Sequence, residues 1–159
     1  MTENVKKIAV SLLLLTLPLS AENLFNNSTM DTAGGWRGSK RMVKETEGGQ
    51  ENRLLQITAS PRGSVSFSQE VPTRDIKDVK LTFRYRSKDY KGRGLELRGE
   101  NPDGGFIYFK KDLVADGKWH EVNWTYSQIG SSKKIEFHFI VLDGEGEVFF
   151  DDVTAEGKP

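Results

Sequence analysis

Apolar and polar side chains alternate one by one over many short stretches of this chain. The clearest stretch is 80–86, where Leu81, Phe83 and Tyr85 alternate with charged or hydroxyl-bearing residues. Successive side chains of a β-strand point to opposite faces, so this period of two is typical of strands with one buried and one wetted face. Turn-forming residues separate the stretches. The pattern predicts strands over 54–59, 64–71, 80–86, 94–100, 106–110, 120–126 and 134–141, and a last strand within 146–154.

These elements predict an all-β fold. No stretch beyond residue 21 has a helical period, and about eight or nine strands with one buried face each are typical of two packed antiparallel sheets. We therefore expect a two-sheet antiparallel β-sandwich of the jelly-roll type. The polar, glycine-containing stretch 37–50 is expected to be a loop with at most one short strand. No internal repeat or linker divides 22–159, so this range is predicted to be a single domain.

The beginning of the chain has the pattern of a secretory signal peptide. Two lysines precede the apolar run 8–17, and Ser20 and Ala21 follow it. The run is short for crossing a bilayer and has the length of a signal-peptide core. We expect residues 1–21 to be removed and the remainder to be secreted, either outside the cell or into a periplasm. The alternative is an uncleaved anchor helix. The chain has no cysteine, so no disulfide stabilises the exported domain.

The charge of the chain limits the classes of partner. It contains 23 basic and 23 acidic residues, so it has no excess of one sign to attract a highly charged polymer or surface. We therefore expect no nucleic acid as a partner and, after removal of the signal peptide, no membrane. We expect the domain to be a monomer.

The last predicted strand places a carboxylate in an unusual position. With unbroken alternation, Phe149, Asp151 and Val153 share one face, which the two apolar residues predict to be the core face. A carboxylate that faces a core must be paired, hydrogen-bonded or bound to a metal. Two interpretations stay open: a bound cation, or hydrogen bonds to backbone amides or a lysine.

Three short motifs together resemble one family. The first is Asn23-Leu-Phe-x-Asn-x-x-Met-Asp31, followed by Gly35-Trp36; the second is Gly117-Lys-Trp119; the third is Phe149-Phe-Asp-Asp-Val153. In this order and spacing they resemble the galactose-binding-like jelly rolls of carbohydrate-binding modules, especially families 4, 9, 16 and 22. The resemblance extends over residues 22–156. It implies a jelly roll that binds a polysaccharide or oligosaccharide, although such a fold supports many functions.

The resemblance also implies a structural calcium ion (Ca²⁺) that joins the first and last strands. The residues that match the family's ligands are Asp31 and Asp151, helped by backbone carbonyl groups. Calcium suits such a site because it takes six to eight oxygen ligands in flexible geometry.

The resemblance implies a sugar site on the concave face of one sheet or, less often, in the loops at one end. Three arginines in one cleft suit a carboxylate or sulfate, which predicts an acidic polysaccharide. The alternative interpretation is a wetted sheet face with cross-strand ion pairs. The candidate ligand-binding residues lie opposite the predicted core face or, for Tyr90, in a basic loop over 88–94; they are Arg84, Arg86, Tyr90, Glu96, Arg98, Tyr108, Glu136 and His138.

The aromatic residues divide into packing residues and platforms for sugar rings. Trp124 is in phase with apolar neighbours, and Trp36 and Trp119 match structural positions of the family, so all three are predicted to pack in the domain. This leaves Tyr90 and Tyr108 as the predicted stacking platforms.

No pattern in the chain predicts an enzyme. It has no metalloprotease helix, nucleophile elbow or phosphate loop. Asp151 and Asp152 point to opposite faces of a strand, so they cannot flank one glycosidic bond. One catalytic alternative is a lyase, in which Arg98, Tyr108 and His138 would have to converge.

Two functions from different classes therefore stay open. The first is a secreted, non-catalytic carbohydrate-binding module that recognises a polysaccharide, with acidic polysaccharides among the candidate ligands. The second is a secreted structural or adhesion jelly roll that binds a protein partner and has no sugar site. The first predicts a groove with an exposed ring, and the second predicts an exposed apolar patch.

Overall fold

The computed structural model describes residues 23–30, 32, 34–102, 105–127 and 129–159. The predicted signal peptide and Asp31 lie outside the described residues. No helix in the described ranges is long and apolar enough to cross a membrane. The regular elements are β1 (Arg37–Gly38), β2 (Arg41–Glu47), β3 (Gln50–Thr58), β4 (Val65–Pro72), β5 (Asp78–Gly92), β6 (Leu95–Glu100), β7 (Phe106–Lys111), β8 (His120–Tyr126), β9 (Lys134–Val141) and β10 (Gly144–Lys158).

The strands form two five-stranded antiparallel sheets. The first sheet has the order β2-β3-β10-β5-β8, and the second has the order β1-β4-β9-β6-β7. The central strands bury one face in the space between the sheets, which is what the alternating pattern requires. The predicted all-β sandwich is confirmed.

An aromatic cluster fills the space between the two sheets. Phe139 of the second sheet is completely buried, and its ring stacks on that of Phe67 with a centroid distance of 4.7 Å. Phe83 of the first sheet meets the edge of the Phe139 ring at 5.3 Å. Trp36 packs against both second-sheet rings, as the sequence predicted, and is 4 % exposed. Trp124 is half-buried and packs against the margin of this core.

The first described residues and the last strand are hydrogen-bonded together. The backbone N–H of Leu24 donates to the carbonyl of Ala155 at 2.7 Å, and the Asn23 Oδ1 accepts from the Ala155 N–H at 2.9 Å. Further along, the Val153 N–H donates to the Ser28 carbonyl at 3.0 Å. The opening and closing motifs therefore meet through ordinary backbone and asparagine hydrogen bonds.

Two predictions about strand boundaries were wrong. The stretch 37–50 contains β1 and β2 rather than a loop, because β2 pairs along its whole length with β3. The loop predicted over 88–94 is largely strand, because β5 continues to Gly92 and pairs there with β10.

The predicted phase of the last strand was also wrong. Val148 and Phe150 point into the core, so Phe149 and Asp151 lie on the outer face of the first sheet. The pairing with β5 shifts register between Asp151 and Thr154, where Asp152 has a positive φ of 49°. Such a bulge adds one residue and reverses the alternation, which returns Val153 to the core.

Candidate functional site

The outer face of the first sheet carries a groove of about 380 Å³. This volume lies within the range of pockets that hold small ligands. Leu54 and Phe149 form an apolar floor, and both are buried although they point away from the core between the sheets. The remaining lining residues are Val43, Lys44, Glu45, Arg86, Lys88, Gly117 and Glu147.

Arg86 lies between two aromatic rings in this groove. It is the direct cross-strand partner of Phe149, and Trp119 immediately precedes the residue that pairs with Tyr85. The three side chains therefore form one row across β10, β5 and the start of β8. The guanidinium carbon of Arg86 lies 4.9 Å from the ring centroid of Trp119 and 4.9 Å from that of Phe149. Such contacts attract a cation to the faces of both rings.

A second arginine organises the carboxylates beside this row. One terminal nitrogen of Arg84 lies 2.9 Å from an Asp151 oxygen and 2.8 Å from an Asp152 oxygen. The amide of Asn52 donates to the same Asp151 oxygen at 3.0 Å, and the Asp152 N–H donates to the other at 2.9 Å. The guanidinium of Arg84 also lies 5.2 Å from the Trp119 ring centroid. Asp151 is thus held by protein donors, only one of which is a backbone amide.

Burial raises the pKa of the Asp151 carboxyl above its ordinary value. Loss of water around the carboxylate outweighs the hydrogen bond from Asn52 and the charge of Arg84, which favour the ionised form. The nearby charge of Asp152 raises the pKa further.

The raised pKa predicts how the stability of the protein depends on pH. The folded state binds the Asp151 proton more tightly than the unfolded state, so this stabilisation is complete below about pH 3.9 and is lost as pH rises through the folded-state pKa. We expect the difference in unfolding free energy between wild type and Asp151→Asn, measured by urea titration, to fall as the pH rises from about 3.9 through the folded-state pKa. A difference that is flat or rises with pH would contradict this assignment.

Asp151 does not fit the role of a calcium ligand. Both of its oxygens accept hydrogen bonds from the protein, and a positively charged guanidinium occupies one of them. In the described ranges, no group of three or more His, Cys, Asp or Glu side chains is arranged to hold a metal ion. Because Asp31 lies outside these ranges, calcium binding stays a prediction of the sequence, and thermal melts with and without excess chelator test it.

The eight candidate ligand residues do not form one cleft, because the strands that carry them belong to different sheets. Arg84 and Arg86 lie on β5 in the first sheet. The strands β6, β7 and β9 lie in the second sheet, on the opposite side of the domain. Apart from Tyr90, the other candidates lie on the outer face of the second sheet; they are Glu96, Arg98, Tyr108, Glu136 and His138.

On the second sheet, Tyr108, Arg98 and His138 are direct cross-strand neighbours. The lyase alternative required these three residues to converge, but the charge of Arg98 is paired with Glu96. Its terminal nitrogen lies 2.7 Å from a Glu96 oxygen, and its guanidinium covers the ring of Phe106 at 4.7 Å. Nε2 of His138 lies 3.3 Å from a carboxylate oxygen of Glu100.

The second sheet also carries two exposed rings. Tyr108 is 53 % exposed, as a platform must be, and Phe106 beside it is 55 % exposed. Their centroids are 6.3 Å apart, and Lys110 lies over the Tyr108 ring. Both rings are on β7, an edge strand of the second sheet.

Tyr90 cannot act as a stacking platform. It is 6 % exposed, and its hydroxyl group accepts from the Gly94 N–H at 2.9 Å. The hydroxyl is also within donating distance of the Gly94 and Leu142 carbonyls. Burial raises the pKa of this phenol. Its side chain closes one end of the core instead of lining a groove.

Comparison with solved structures places the fold among known modules. A family 61 carbohydrate-binding module in complex with β-1,4-galactotriose has a TM-score of 0.60 and 19 % identity; the match covers 87 % of this chain and all of that one. A family 16 module has a TM-score of 0.60 and 16 % identity, over 84 % of this chain and 99 % of that one. A family 4 module matches equally fully, with a TM-score of 0.59 and 17 % identity.

The chain has the jelly-roll fold of carbohydrate-binding modules. This finding confirms the fold that the three motifs predicted. No protein-family model and no curated protein matches the chain, so the likeness concerns the fold.

Sequence reasoning missed two aromatic residues in this carbohydrate-binding-module fold, one on the floor of the groove and one beside it. Phe149 was assigned to the core and Trp119 to structural packing, yet Phe149 lies on the groove floor and Trp119 contacts Arg86, which lines the groove, and Arg84 beside it. A signal was present for the first. Phe149 and Phe150 are adjacent in a strand, so only one of them can face the core. No comparable signal pointed to Glu45, which the predicted loop concealed.

Proposed function

We propose that this chain is a secreted, non-catalytic module that binds a polysaccharide or oligosaccharide in the groove of the first sheet. The observation that carries the proposal is the row formed by Phe149 on the groove floor, Arg86 on β5 and Trp119 just before β8. The solved modules with this fold support it, among them the one in complex with β-1,4-galactotriose. Secretion rests on the predicted signal peptide alone.

The groove has the two kinds of surface that a sugar ring needs. Its apolar floor and the indole of Trp119 suit the C–H faces of pyranose rings, while arginine and carboxylate groups at the rim suit hydroxyl groups. Nε of Arg84 is buried without a hydrogen-bond partner in the described part of the chain. A water molecule or a sugar hydroxyl would satisfy this donor.

The ion pairs of the two first-sheet arginines favour a neutral ligand over an acidic one. Arg84 is paired with two aspartates and Arg86 with Glu45, so neither guanidinium has an unpaired charge for a sugar carboxylate. The third arginine of the predicted acidic site, Arg98, is on the other sheet. Acidic glycans therefore serve as the comparison in the test and not as the expected ligand.

A glycan array on the purified domain tests the proposal. It would include β-1,4-galactotriose and xylohexaose beside uronate-containing and sulfated oligosaccharides, with wild type and Tyr108→Ala in parallel. We expect selective binding to neutral chains, unchanged by the Tyr108 substitution because that residue lies on the opposite sheet. If a correctly folded domain binds no glycan, the proposed function is contradicted. If Tyr108→Ala abolishes binding, the site lies on the second sheet and not in the groove of the first.

One observation favours a second candidate function, adhesion through a protein partner. The neighbouring rings of Phe106 and Tyr108 are exposed on an edge strand, and exposed aromatic pairs at an edge are common in protein interfaces. This candidate gains support if the array is silent and the substitution Phe106→Ser removes binding to a protein that wild type captures.

A further inference from the structure

An ion pair crosses the groove from one side to the other. A terminal nitrogen of Arg86 on β5 lies 3.0 and 2.9 Å from the two carboxylate oxygens of Glu45 on β2. Two strands, β3 and β10, lie between them in the sheet. At the usual strand spacing, three intervals amount to about 14 Å. The side chains can meet only if this face is concave and they reach over the floor toward each other.

The residues below this ion pair are covered. Leu54 on β3 is completely buried and Phe149 on β10 is 9 % exposed, although both point away from the core between the sheets. The strand pairing defines rows of residues that run across the sheet. The row that contains Leu54 lies between the row that contains Arg86 and the row that contains Glu45. The Arg86–Glu45 pair therefore forms a bridge above the floor of the groove.

The same bridge holds Arg86 against the aromatic rings. The guanidinium has Trp119 on one side and Phe149 on the other, each at 4.9 Å, and its side chain is only 20 % exposed. A sugar ring that stacks on the aromatic face that the guanidinium covers must displace this group. Two kinds of contact hold the guanidinium. The aromatic rings lie next to Arg86, whereas the carboxylate of Glu45 reaches it from the opposite rim of the groove.

We propose that Glu45 is a positioning residue that holds Arg86 across the groove as a closed bridge, so that ligand entry requires this ion pair to open. The proposal rests on the proposed function, because it assumes that the groove is the binding site. In the ligand-free protein the bridge then partly closes the groove, and the strength of the ion pair sets the ratio of closed to open molecules.

The substitution Glu45→Gln tests the bridge without any ligand. It removes the charge that holds Arg86 and keeps the size of the side chain. We expect acrylamide to quench tryptophan fluorescence more strongly in Glu45→Gln than in wild type, because Trp119 becomes more exposed. The increase should disappear when Trp119→Phe is added, since Trp36 and Trp124 lie elsewhere. Equal quenching in wild type and Glu45→Gln would overturn the proposal.

A titration with the oligosaccharide that gives the strongest array signal completes the test. Partly exposed ion pairs contribute up to about 1 kcal/mol, so opening the bridge should tighten binding by roughly two- to fivefold. Glu70→Gln is the matched control, because Glu70 pairs with Lys134 at 2.8 Å on the second sheet, away from the groove. It should leave both quenching and affinity unchanged.

The possible failures are distinguishable. If wild type binds no glycan, the proposed function fails, while the quenching experiment still decides whether the bridge exists. If wild type binds and Glu45→Gln binds more weakly with unchanged quenching, Glu45 contacts the ligand directly and the proposal is wrong. Matching thermal melts of the variants establish that the differences do not come from unfolding.

Discussion

Replacing Phe139 with alanine is expected to lower the free energy of unfolding by about 3–5 kcal/mol. The ring is completely buried and is the meeting point of the two sheets. It stacks on Phe67 at 4.7 Å and meets Phe83 at 5.3 Å and Phe150 at 6.2 Å. Removing it leaves a cavity lined by rings that cannot all move inward. Since domains of this size are stable by about 5–15 kcal/mol, the loss would be a large part of the total.

The matched control for this prediction is Phe106→Ala. It removes the same ring from the outer face of the second sheet, where the side chain is 55 % exposed. We expect a change within about 0.5 kcal/mol. Equilibrium unfolding in urea measures both variants. Similar losses in the two proteins would show that the inner face of β9 is assigned incorrectly.

Replacing Trp119 with alanine is expected to weaken glycan binding by roughly thirtyfold or more, which corresponds to a loss of about 2 kcal/mol. The substitution removes the indole face offered to the sugar. It also removes the ring that lies 4.9 Å from the guanidinium of Arg86 in the groove and 5.2 Å from that of Arg84 beside it. Isothermal titration calorimetry with the array ligand measures the effect.

Two further variants make the Trp119 prediction specific. Trp119→Phe keeps an aromatic face and should retain part of the affinity. Tyr108→Ala removes the exposed ring of the other sheet and should change affinity by less than about twofold, since it contacts nothing in the groove. An affinity that survives in Trp119→Ala but falls in Tyr108→Ala would move the binding site to the second sheet.

The alternating pattern predicted the inner faces well where alternation is long and unbroken. Phe83 and Tyr85 on β5, and Phe137 and Phe139 on β9, all point into the core as their spacing required. In these strands polar residues separate most of the apolar side chains, so one phase buries far more apolar area than the other. The fold class followed from such strands and from the family motifs.

The phase of β10 could not be predicted in the same way. Its sequence places two phenylalanines side by side, so alternation allows either Phe149 or Phe150 to face inward. The bulge after Asp151 then reverses the phase, and it depends on a backbone conformation at Asp152 that no residue pattern reveals. The predicted core position of Asp151 was wrong for this reason, although its burial was correct.

The composition of the site depends on topology more than on local pattern. Arg86 and Arg98 are close in sequence and both lie opposite the core face, yet β5 and β6 belong to different sheets. Short connections in a jelly roll lead either to a neighbouring strand or across to the other sheet, and the residues of the strands do not specify which. The groove therefore brings together distant parts of the chain, such as Glu45, Gly117 and Phe149.

Mapping the bound ligand on the domain by nuclear magnetic resonance tests the central claim most directly. A ¹⁵N-labelled sample is titrated with the neutral oligosaccharide selected on the array, and the backbone amide and tryptophan indole signals are followed. The account predicts that the Trp119 indole and the amides around Phe149, Arg86 and Glu45 shift together, while Arg98 and Tyr108 stay unchanged. Shifts confined to β6, β7 and β9, with the Trp119 indole unmoved, would contradict it.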